Sequence, residues 1–120
     1  MPSILPGPAA SRDAIRLALQ TWPDIDHYLQ TCKGIIVPLG STEQHGPTGA
    51  IGTDALTAEA VALELGQLSG VLVTPVQAFG MAEHHLGFAG TMSLQPATLL
   101  AVMHDPVSYT HLTLPTKNEV

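Results

Sequence analysis

The sequence predicts an α/β fold: three layers, with a mostly parallel sheet and helices on both faces. Three observations point there. Two short apolar runs, Ile35–Leu39 and Val71–Val76, have the length of buried strands. Between them lies a helix-like segment from Thr53 or Asp54 to about Leu68, and a strand, helix and strand in that order form a right-handed parallel crossover. The first run ends in a glycine-rich polar loop carrying Glu43, His45 and Asp54. The carboxyl edge of a parallel sheet is where such folds place their sites.

In chain order, the proline-rich MPSILPGPAA reads as an irregular arm. Ser11 then caps an expected helix through about Gln20, with Ile15, Leu17 and Leu19 as its apolar positions. Thr21 caps a second helix, with Pro23 in its first turn and Asp24 and Asp26 favouring the positive helix end. Ile25, Tyr28 and Leu29 face inward, and Cys32-Lys33-Gly34 leads into the first strand. In the crossover helix, Leu56, Ala60, Val61, Leu63 and Leu65 form the expected apolar face, with Gly70 as the stop. GMAEHHLGFAG follows as a loop, TMSL as a short extended piece, and Gln95-Pro96 opens a third helix. Pro106 is expected to break that helix, which divides the chain into a domain part, 1–105, and an irregular tail, 106–120, foreign to the fold.

Composition narrows the function. The chain has 120 residues, 45% hydrophobic and 12% charged, which suits one globular domain. Its net charge is −6 with four Lys and Arg, so there is no basic stripe for nucleic acid or an anionic membrane. The single cysteine, Cys32, excludes an internal disulfide. With no secretory pattern and no apolar run of spanning length, the expected location is cytoplasmic. Neither a GxGxxG nor a GxxxxGK[ST] pattern occurs, so the glycines do not signal a phosphate cradle.

Glu43 and His45 are two apart, and in extended backbone their side chains leave on the same side. Asp54 closes the loop where the next helix starts. Two carboxylates and an imidazole suit zinc, manganese or iron. The same residues also fit a solvated turn in which Asp54 only caps a helix. His84 and His85 sit in a second glycine-rich loop, where an imidazole can simply be exposed; His84 reads as surface, and Glu83 as solvent-facing or as an acceptor for an imidazole.

The stretch PLGSTEQHGP…GTD resembles the signature of the creatininase family of metal-dependent amidohydrolases, and EHHLGFAGTMSL is similar to a second family segment, matching at His85, Phe88, Gly90, Thr91, Ser93 and Leu94. The resemblance covers roughly Gly34 to His104. It implies a creatininase-like domain in which Glu43, His45 and Asp54 hold two divalent ions (zinc, manganese or iron) with Asp54 bridging, and His85 lies near substrate. The implied activity is hydrolysis of a C–N bond in a small-molecule amide or cyclic amide, such as creatinine, a formylated pyrimidine intermediate or a peptide-like amide. The chain departs from the family at Thr48, where many relatives have His, and at Ala89, where they have Pro. Later family segments, an Asn-Gly-His and a His-Ala-Gly…Glu, have no counterpart here, so the resemblance implies an N-terminal part of an incomplete fold. Weak metal binding, little turnover and exposed apolar surface are the corresponding expectations, with homo-oligomers expected for an intact chain alone. No catalytic residue beyond the ligands is assigned. The rival reading is a non-catalytic metal- or ligand-binding α/β module.

Overall fold

In the computed structural model, residues 5–112 are described. The helix start at Thr21 follows from local chemistry. The Thr21 hydroxyl accepts the Asp24 N–H, and the Asp24 carboxylate accepts the Thr21 N–H, a reciprocal capping box that launches α1 (Trp22–Leu29). Leu29 is buried, and Ile25 and Tyr28 are half-buried. The Tyr28 hydroxyl is the pin between this helix and the segments beside it. It donates to the Gly34 carbonyl at 2.5 Å and accepts the Leu72 N–H at 3.2 Å. Burial, reinforced by the neighbouring Cys32 thiol, raises its pKa to about 12.

The expected helix over 11–20 does not form. Two 3-10 turns, Asp13–Ile15 and Leu17–Leu19, flank Arg16, which makes a parallel bridge with Val73. The Val73 N–H donates to the Ile15 carbonyl at 2.8 Å, and the Leu17 N–H donates to the Val73 carbonyl at 2.9 Å. Backbone groups so engaged cannot also close an α-helical ladder. The spacing of Ile15, Leu17 and Leu19 is in fact two, the period of a strand rather than of a helix.

Val73 also bridges Ile36 in parallel, and Leu39 bridges Gln77 in parallel, so the segment around Val73 lies between the other two. The parallel crossover is therefore present in direction and order. Its pairing is confined to isolated bridges, and among the described residues no continuous strand forms. Pro38 and Pro75 lie within the two runs, and each removes a ladder donor.

The crossover helix, α2 (Thr53–Ser69), packs on these segments through Ala55, Ala62, Leu63 and Gly66. Ile15, Ala62, Leu63, Leu72 and Val73 form the buried core, with Leu17, Ile25, Tyr28, Ile35 and Ile36 packed around it. Of the expected apolar face only Leu63 is buried; Leu56, Ala60, Val61 and Leu65 are exposed. Small residues let the helix approach more closely on the other side: a Cβ on Gly66 would lie 2.7 Å from a Val73 methyl. Gly70 stops α2 in the left-handed region at φ 78°, as expected.

The third helix, α3 (Pro96–Ser108), begins where expected, with proline in its first turn. It does not stop at Pro106. The helix runs on to Ser108, and the Tyr109 N–H still reaches the Asp105 carbonyl at 2.7 Å, so Pro106 does not break it. Residues 113–120 of the tail lie outside the described region. None of α3 is buried; it borders the bridged segments across an open cleft of about 1160 Å³ lined in part by Ile35, Val37, Val102 and Met103. Exposed Phe79, Met81, Leu86, Phe88 and Met92 add to the apolar surface anticipated from the sequence.

Candidate metal centre

The site is assembled where the first apolar run gives out. The Gly40 N–H still pairs with the Gln77 carbonyl, after which the chain crosses to a different partner. Thr42 makes an antiparallel bridge with Met92, and the Thr42 hydroxyl donates to the Ala78 carbonyl at 2.8 Å. The Glu43 N–H reaches the Ile51 carbonyl at 3.0 Å, closing the loop back toward the start of α2. Asp54 therefore arrives in the first turn of that helix, where a carboxylate is favoured by the unpaired N–H groups.

These backbone paths bring Glu43, His45 and Asp54 together. One potential ligand atom from each lies within 4.8 Å of the other two. His45 Nε2 is 3.2 Å from Asp54 Oδ2. The Asp54 carboxyl is held below its ordinary range, chiefly by a hydrogen bond with Glu43 and then by His45, with slight burial opposing. Two carboxyls and an imidazole converging on one point, partly open to solvent, are a donor set that fits a divalent cation. A cation there would also relieve the repulsion between the two carboxylates.

The second loop supplies the opposite wall. Glu83–His85 forms a 3-10 turn, and the Ala82 N–H is held by the Ser93 hydroxyl at 2.9 Å. His85 Nε2 is 3.6 Å from Glu43 Oε2, and Gln44 Nε2 is 2.8 Å from His85 Nδ1. His85 thus stands beside the trio. His84 is exposed, as the surface reading expects, and it also borders the site. The tight turn stacks its ring on that of His85, with centroids 4.0 Å apart, and brings its nitrogen within 4.8 Å of ligand atoms of Glu43 and His85. In extended chain consecutive side chains would diverge; a 3-10 turn removes that constraint. Glu83 is exposed. Gln44, between Glu43 and His45 in sequence, was not singled out by the sequence, and no spacing rule would have found it.

The family described as creatininase, creatinine amidohydrolase, matches residues 18–111. The chain belongs to the creatininase family. A mycofactocin precursor peptide peptidase from Mycolicibacterium smegmatis is 41% identical over 71 residues, covering 54% of this chain and 29% of that protein. A crystal structure of creatinine amidohydrolase superposes with a TM-score of 0.74 at 26% identity, covering 82% of this chain and 39% of the other. A manganese creatininase superposes at 0.73 over 78% of this chain and 38% of its own. The chain thus spans about a third of the length of the curated creatininase-family relatives it matches. No helix among the described residues is long and apolar enough to cross a membrane.

Proposed function

We propose that this chain carries the metal-holding part of a metal-dependent hydrolase that cleaves a C–N bond in an amide or cyclic amide. The observation that carries this reading is the convergence of Glu43, His45 and Asp54 within 4.8 Å, at the sequence spacing the family resemblance implies. On that reading Glu43, His45 and Asp54 would together hold the divalent ions. When bound, such ions supply Lewis acidity toward the substrate carbonyl and lower the pKa of water to about 7. Manganese is supported by the manganese relative, while the mixed carboxylate and imidazole set also accepts zinc or iron.

The protein's own groups do the positioning. The Glu43–Ile51 backbone bond and the first turn of α2 fix the two carboxylates, and the His45–Asp54 contact orients the imidazole. His85, 3.6 Å from Glu43 on the opposite wall, would meet a substrate carbonyl brought to the ions. Among candidate substrates, a peptide-like amide is the first choice, because a relative is named as a peptide peptidase.

The test is titration of the full chain with manganese and with zinc by calorimetry, followed by assays on creatinine, a formylated pyrimidine and a short peptide amide. Binding that is lost in an Asp54→Ala variant, together with metal-dependent release of an amine from any of the three, supports the proposal. Metal binding with no turnover would favour the non-catalytic module, and no metal response at all would end both readings.

A further inference from the structure

Gln44 holds both sides of the site at once. Its backbone N–H donates to the Thr91 hydroxyl at 3.1 Å, its Oε1 accepts the Gly46 N–H at 2.8 Å, and its Nε2 lies 2.8 Å from His85 Nδ1. The Gly46 contact decides which end of the amide faces the ring. Reversing the amide would set its NH₂ group against the Gly46 N–H, donor against donor. The group facing His85 is therefore NH₂, which can only donate, so Nδ1 must accept. A neutral imidazole that accepts at one nitrogen carries its hydrogen on the other. That other nitrogen, Nε2, is the atom 3.6 Å from Glu43 Oε2.

We propose that Gln44 is a positioning residue that locks His85 as its Nε2–H tautomer, so that His85 meets the site as a hydrogen-bond donor and not as a metal ligand through Nε2. Glu43, His84 and His85 lie close enough to suggest a second cation cluster, with their ligand atoms within 4.8 Å. The Gln44 contact withdraws His85 from it, because an Nε2 that bears hydrogen has no lone pair to give. What His85 then offers is an N–H for the Glu43 carboxylate and for an acceptor oxygen next to it, the chemistry of an amide carbonyl. This deepens the substrate-side role given to His85 above and rests on that reading for its functional meaning, whereas the tautomer itself does not.

Long-range proton–nitrogen NMR of the full chain labelled with ¹⁵N-histidine reads the tautomer directly, with His85 assigned by its loss in a His85→Asn variant. The expected result is Nε2–H at His85 in the unsubstituted protein, and a shift toward Nδ1–H in Gln44→Glu, where an acceptor replaces the donor. The remote His27 and His104 signals check that the fold is kept. On adding zinc, the His45 signals should move while the His85 tautomer stays. A hydrogen on Nδ1 of His85 in the unsubstituted protein, with or without zinc, overturns the proposal, as does a tautomer unmoved in Gln44→Glu. Silence at His45 on adding zinc with the Nε2–H tautomer in place would sink the metal reading and leave this assignment standing.

Discussion

Gly40 lies against the first turn of α2 so closely that a Cβ on it would sit 2.4 Å from the Ala55 Cα and 2.7 Å from the Ala55 nitrogen. That approach sets the distance between the strand-like run leading to Glu43 and the helix that begins beside Asp54. A Gly40→Ala variant must push the two apart. Overpacking of this kind costs about 1–3 kcal/mol. Urea unfolding should show a loss of that order, with weaker manganese binding in calorimetry. A variant with unchanged midpoint and affinity would mean that the spacing is not set here.

Asp54 is the residue on which the other two donors converge. Removing its carboxylate in Asp54→Ala should cost at least the ~10–100-fold in metal affinity that losing a mere supporting partner costs. Because the Asp54 side chain is partly exposed, the unfolding midpoint without metal should change little. Affinity within a factor of two of the unsubstituted chain would remove Asp54 from the ligand set.

The depressed Asp54 pKa has a pH signature. A carboxyl whose folded pKa lies below its ordinary value of 3.8 contributes stability that is fully present above that value and is lost as pH falls through the lower, folded one. Comparing unfolding midpoints of the unsubstituted chain and Asp54→Asn in acid should therefore show the curves converging below that value. The effect is small, because solvent screens a group this open. Curves that diverge as acid is added would show the sign to be wrong.

Tyr28→Phe tests the pin on the other side of the molecule. The change strands the buried Leu72 N–H, whose partner is the Tyr28 hydroxyl, and frees the Gly34 carbonyl. An unsatisfied buried donor costs about 1–3 kcal/mol. Thermal or urea unfolding should register it, while metal binding, carried by the far end of the same segments, should be unaffected. A neutral result would place water where the hydroxyl now sits.

Features set by neighbours in sequence were legible. Thr21, Pro23 and Asp24 announce α1, Gly70 ends α2, and the Glu43, His45 and Asp54 spacing anticipates their convergence. What failed was decided by distant partners. Arg16 lies in a bridge and not in a helix because Val73 takes up the backbone groups around it. The buried face of α2 is set by Ala62 and Gly66, whose small side chains admit the Val73 segment, while the larger Val61 and Leu65 remain outside. Pro106 removes a single donor from α3, too little to end a helix already under way. His84 joins the cluster because of a 3-10 turn, and Gln44 matters through Gly46 and His85; neither relation has a periodic signature.

The Thr42–Met92 bridge and the Gln44–Thr91 contact, the latter spanning 47 positions, have a consequence for how the protein is made. A nascent chain translated only through α2 already contains every carboxylate of the trio but neither Thr91 nor Met92, which hold their loop from the C-terminal side. The mould for the cation is therefore finished from its C-terminal side, and a ribosome paused before Thr91 would display the acids without their final shape.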